Sequence, residues 1–136
     1  MAEMSSRALE LQRGLKIKTG DINKRFDFKD NYFDLVILGE IIEHVENPDY
    51  VIEEAKRVVK KDGHIIITTP NLGFWLNRIV FLFGFQPFFS EISTKDKRLG
   101  RKIFYRDDKD IMPVGHLRVF TFNGLKDFLL FHKLKI

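Results

Sequence analysis

Two short apolar runs flanking one amphipathic stretch constrain this chain more than any other feature. Leu35-Val36-Ile37-Leu38 and Ile65-Ile66-Ile67 are brief, rich in β-branched residues and free of charge. Such runs read as strands buried on both faces of a sheet. Gly39 ends the first run, and an acidic helical turn is expected from Glu40 to Val45. Pro48 then opens a helix in which Tyr50, Val51, Ala55, Val58 and Val59 recur at helical spacing among charged residues. Asp62-Gly63 is the expected stop, because glycine accepts the left-handed conformation at a helix end. Pro70 cannot extend the second strand. Strand, helix, strand is a βαβ unit, so an α/β fold with a mostly parallel sheet follows.

Around this unit the chain offers one modest domain, residues 1–136. Residues 2–13 read as a helix stopped by Gly14, and Leu15–Thr19 alternates as a strand does. Gly20-Asp21-Ile22 follows, and residues 23–32 connect to Phe33. Residues 72–89 hold many of the 14 phenylalanines. A membrane span needs about 20 apolar residues. Asn77, Arg78, Gly84, Gln86 and Pro87 interrupt this one, so an aromatic helix plus loop is expected. Residues 93–110 are charge-dense and read as a solvated, mobile loop. Thr121 suits the N-cap of a helix over Asn123–Phe131, and Leu134-Lys135-Ile136 is expected to begin a strand. His64 and His132 lack company suited to chemistry. A net charge of +4 favours anionic partners only weakly, and nucleic acid is not an expected partner. Cysteine is absent, which excludes disulfides and thiolate metal sites. With no apolar signal core at the N-terminus, a cytoplasmic location is expected.

Glu40, Glu43 and His44 stand at i, i+3 and i+4. On a helix these project from one face. Two carboxylates and an imidazole suit Mg²⁺ or Mn²⁺.

The combined order of Phe33-Asp34-Leu35-Val36, Glu40-Ile41-Ile42-Glu43-His44-Val45, Arg57-Val58-Val59-Lys60-Lys61-Asp62-Gly63 and Thr68-Thr69-Pro70-Asn71 resembles class I S-adenosylmethionine-dependent methyltransferases. The pieces resemble that fold's fourth strand, its acidic turn, the next helix and the fifth strand. The resemblance implies an incomplete Rossmann-like methyltransferase sheet with helices on its faces, and Leu15–Thr19 as its third strand. It implies S-adenosylmethionine as cofactor, lined by Asp21, Ile22, Gly39 and Glu40, with Asp21 toward the adenine amino group. It assigns catalysis to Glu40 and His44. The segment 72–110 becomes an insertion that covers the substrate or forms an interface. A similar Glu-x-x-Glu-His turn with a later histidine occurs in small-RNA 2′-O-methyltransferases and ubiquinone-pathway O-methyltransferases. By that likeness the metal set is Glu40, Glu43, His44 and His116, and the reaction is O-methyl transfer to a small-molecule, lipid-like or glycan hydroxyl. The alternative is a non-catalytic methyltransferase-like binding or assembly module.

The family's Gly-rich first-strand loop and the acidic end of its second strand have no match here. In the family's sheet those two strands lie between the third and the fourth. The gap is expected to close by pairing Leu15–Thr19 beside Leu35–Leu38, or through a homodimer or complementing chain.

Overall fold

The computed structural model describes residues 18–105 and 111–136. The expected helix over 2–13 and most of the strand Leu15–Thr19 lie outside them, and Lys18 and Thr19 are not in a strand. The described elements are strand β1 (Phe33–Gly39), helix α1 (Pro48–Val58), strand β2 (Val59–Thr68), helix α2 (Trp75–Leu82), a 3₁₀ turn (Lys102–Tyr105) and helix α3 (Phe122–Phe131). The two strands pair in parallel, from Leu35 opposite His64 to Gly39 opposite Thr68. The βαβ unit and the α/β class are as expected.

Local chemistry explains α1. Asn47 caps it, its side chain accepting from the Tyr50 N–H at 3.0 Å, with Pro48 in the first turn. Val51, Ile52, Ala55 and Val58 are buried on one stripe. Val51, Ile52 and Ala55 pack with Leu38, Ile42 and Val45, and Val36, Ile65 and Ile67 of the sheet close against them. Glu54 is buried on α1 but fully engaged. It accepts from the Phe26 N–H at 2.8 Å and pairs with Arg57 at 2.8 Å. Arg57 donates onward to Phe28 O and to Asp30 at 2.8 and 2.6 Å. One ion pair thus fastens residues 26–30 to the helix. His132, at the end of α3, lies between Glu53 and Asp49 at 2.7 and 3.0 Å, which fastens α3 to α1. Thr121 caps α3 by accepting from the Gly124 N–H at 3.1 Å, as expected.

Several expectations are corrected. Helix α1 stops at Val58 rather than at Asp62-Gly63, and Val59 is already paired with Phe33. The register then shifts, because β2 advances from Val59 to His64 while β1 advances from Phe33 to Leu35. Gly63 sits inside this bulge. A Cβ there would meet Val59 Cγ2 at 2.7 Å and Asp34 O at 2.8 Å, so glycine is required for close approach and not for a helix end.

Nor is the sheet buried on both faces. Val36, Leu38, Ile65 and Ile67 face the covered side, whereas Leu35, Ile37 and Ile66 are 45%, 60% and 47% exposed. Among the described residues β1 has β2 as its single partner.

The acidic stretch after β1 is a turn rather than a helical one. Glu40 has φ 52° and the His44 N–H bonds to Ile41 O at 2.9 Å. The charge-dense loop is not wholly solvated, since Arg101 is buried. Leu134–Ile136 forms no strand; the Leu134 N–H returns to Leu129 O at 3.1 Å. No described helix is long and apolar enough to cross a membrane.

Candidate functional site

Parallel α/β sheets present their functional residues beyond the carboxyl ends of the strands. Here β1 ends at Gly39, and the next seven residues form the turn that carries Glu43 and His44. The Glu40 N–H bonds to Thr68 O at 3.0 Å, which holds the start of that turn against the end of β2. Ile42 and Val45 plug into the core and so fix the residues between them. Glu43 is carried inward with them and is 1% exposed, yet neither carboxylate oxygen has a hydrogen-bond partner.

The second arm of the site comes from residues 114–118. Backbone N–H groups of Leu117 and Arg118 donate to Glu43 O at 2.8 and 3.1 Å. Arg118 adds its guanidinium to Val45 O and Glu46 O at 2.5 and 2.8 Å. His116 is thereby brought to His44, with ring centroids 4.8 Å apart. Ligand atoms of Glu43, His44 and His116 all lie within 4.8 Å of one another.

The two imidazoles are oriented alike. His44 Nδ1 donates to Gly115 O at 3.0 Å, and His116 Nδ1 donates to Phe89 O at 3.0 Å. A neutral imidazole that donates from Nδ1 keeps a lone pair on Nε2, which is the arrangement of a metal-ligating histidine. Glu91 holds the loop behind them. Its carboxylate accepts from the N–H groups of Val114, Gly115 and His116 at 2.8, 2.9 and 3.3 Å. Burial works against its charge, but these three donors and the neighbouring His116 outweigh it and hold its pKa below the usual value.

Three of the four residues expected as metal ligands are therefore brought together, and Glu40 is not among them. Its side chain is exposed at the strand end. The buried, partnerless Glu43 carboxylate fits a cation. An unpaired buried anion is costly, and a shared divalent ion removes that cost.

Asp21 and Ile22 lie elsewhere. They line a groove of about 540 Å³ that also touches Leu35, Val36, Ile37 and Leu38. Consecutive strand residues face opposite sides, so a groove touching all four runs along the open edge of β1. The Asp21 carboxylate accepts from the Asn23 N–H at 3.0 Å and pairs with Lys24 at 3.3 Å. The Asn23 bond first, and Lys24 next, lower its pKa. Asp21 thus closes a turn, and its exposed carboxylate remains open toward the groove. Gly39 and Glu40 do not line that groove. No motif marks Glu91, because it binds backbone groups more than 20 positions away. A second unforeseen feature is a cavity of about 390 Å³ beside His116, lined by Phe74, Phe88, Phe89, Arg101 and Tyr105 among others.

The family described as "Methionine biosynthesis protein MetW" matches residues 3–92. An uncharacterised protein of Methanocaldococcus jannaschii is 43% identical over 56 residues, which cover 41% of this chain and 27% of that protein. A demethylmenaquinone methyltransferase of Lactobacillus johnsonii is 29% identical over 129 residues, covering 95% of this chain and 50% of the relative. A crystal structure from Thermotoga maritima, described as a SAM-dependent methyltransferase and possible histamine N-methyltransferase, superposes with a TM-score of 0.62 at 20% identity. It covers 95% of this chain and 50% of that one. The chain spans half or less of the length of each of these proteins. The fold is that of the class I S-adenosylmethionine-dependent methyltransferases, with a Rossmann-like sheet.

Proposed function

The chain belongs to the MetW family, and on that premise we propose that it forms the acceptor-facing part of an S-adenosylmethionine-dependent O-methyltransferase. The buried, partnerless carboxylate of Glu43 beside two co-oriented imidazoles carries this reading. Glu43, His44 and His116 are the proposed ligands of Mg²⁺ or Mn²⁺. When bound, such an ion supplies Lewis acidity toward an acceptor hydroxyl. The protein's own contribution is orientation: Gly115 O and Phe89 O fix the ring tautomers, and Glu91 fixes the loop. O-methylation releases the hydroxyl proton. Glu40, open to solvent three residues before Glu43, is the proposed acceptor of that proton.

Gly39 and Glu40 at the strand end, with Asp21 and Ile22 along the open edge, are the proposed contacts to the cofactor's adenosine half. These residues suit one side of the cofactor only. The half of the Thermotoga fold that this chain does not cover is where the methionine-binding part is proposed to lie. The segment 72–110 is the proposed cover over the acceptor. A second reading, a methyltransferase-like assembly module, draws on the bare edge of β1 and the exposed Leu35, Ile37 and Ile66. A second copy of the chain or a complementing chain would dock there.

The test is calorimetric. A ligand at a hundred times its Kd stabilises a fold by about 2.7 kcal/mol, which is several degrees of Tm in a chain of this size. Mn²⁺ should raise the Tm by that order in the native chain and have no effect on Glu43→Gln. An unshifted native Tm, or an equal shift in the variant, overturns the proposed centre.

A further inference from the structure

The cavity beside His116 has an unusual wall. Phe74, Phe88, Phe89 and Tyr105 make it aromatic, and Arg101 brings a positive charge into it. Arg101 is 3% exposed, and its guanidinium carbon lies 5.7 Å from the Phe88 ring centre and 5.8 Å from that of Tyr105. Nη1 donates to Pro87 O and, at 3.1 Å, to Ser90 O. Nε is fully buried and has no acceptor. Among the described residues no carboxylate pairs with Arg101. Glu91, on the same wall, is already engaged by the three N–H groups of residues 114–116. A buried cation with a partnerless donor in an aromatic cavity is costly, and the ring faces offset that cost only in part.

We infer that this cavity is the acceptor subsite for an aromatic carboxylate: its ring between Phe88, Tyr105 and Phe74, its carboxylate on Arg101, and its hydroxyl toward His116. The planar guanidinium suits a carboxylate in particular. The volume lies in the range of small-molecule sites. His116 belongs to both the cavity and the imidazole–carboxylate cluster, so an acceptor held here has its hydroxyl at the proposed cation centre. The inference deepens the methyltransferase reading and rests on it for the reaction, though not for binding.

The experiment is titration calorimetry on the purified chain in EDTA with two probes, 4-hydroxyphenylacetate and 4-ethylphenol, alike in ring and size but not in charge. The acid should bind at least tenfold more tightly. In Arg101→Gln the two affinities should fall within twofold of each other, through loss of the acid. Arg101→Lys, which keeps the charge but lacks the Nε–H, should fall between. Equal binding of the two probes by the native chain overturns the inference, and so does an acid preference that survives both substitutions. Should Arg101→Gln fail to fold, the native ratio and Arg101→Lys still decide the matter. Acid preference in EDTA without any Mn²⁺-induced rise in Tm overturns the cation centre and sustains the cavity. A Mn²⁺ response without acid preference does the reverse.

Discussion

Glu91 belongs to neither histidine arm, yet it decides where His116 sits. Three N–H groups converge on its carboxylate and lower its pKa against the opposing effect of burial. A carboxylate with a depressed folded pKa contributes stability that is present above its unfolded pKa, about 4.3. That contribution is lost as pH falls through the folded value. The loop 114–116 should therefore hold at neutral pH and loosen under acid, below the ordinary glutamate range. Amide NMR shifts of Val114 and Gly115 should titrate with a midpoint below that range in the native chain, and this transition should vanish in Glu91→Gln. A midpoint at or above the ordinary value contradicts the assignment. At this scale the sequence was partly legible. The Glu-x-x-Glu-His spacing pointed to Glu43 and His44, and the family likeness pointed to His116. It also drew in Glu40, which the left-handed backbone turns out to solvent. Glu91 and Arg101 left no trace, because they bind main-chain groups, which carry no sequence signal.

The elements were legible where local chemistry decides them and illegible where pairing does. Pro48 announced the start of α1 and Thr121 that of α3, since a helix start needs nothing beyond its own first turn. The end of α1 was misplaced. Lys60-Lys61-Asp62-Gly63 looks like a frayed helix end, but pairing of Val59 with Phe33 draws these residues into the bulged start of β2. The charged stripe of α1 hid a second function as well. Glu54 and Arg57 look like an exposed i, i+3 pair, yet both are largely covered, at 10% and 17% side-chain exposure. Removing the Glu54 carboxylate leaves the Phe26 N–H without its acceptor and takes from Arg57 one of its two carboxylate partners. Glu54→Ala should cost about 1–3 kcal/mol, read as a lower urea midpoint with an unchanged m-value. A loss within the scatter of surface substitutions, about 0.5 kcal/mol, shows that the pair does not fasten residues 26–30.

At the scale of the whole molecule, the βαβ unit and one covered sheet face were legible from two apolar runs and one amphipathic stripe. The bare face was not. Leu35, Ile37 and Ile66 carry a pattern that says "buried", and whatever would bury them is not among the described residues. The same architecture sets the robustness of the site. His44 and Gly115 are joined by a hydrogen bond across 71 positions of chain, and the second arm rests on Glu43 O through two N–H groups. No helix or strand carries residues 111–118. Partial opening of that arm dismantles the cluster while β1, β2 and α1 stay folded, because the core that unites them draws no residue from that arm. The Glu43–His44–His116 grouping would then be the first thing lost on warming, well ahead of the fold. Native-state hydrogen exchange should show Leu117 and Arg118 opening at a lower free energy than Ala55, and equal values would mean that arm and core breathe as one.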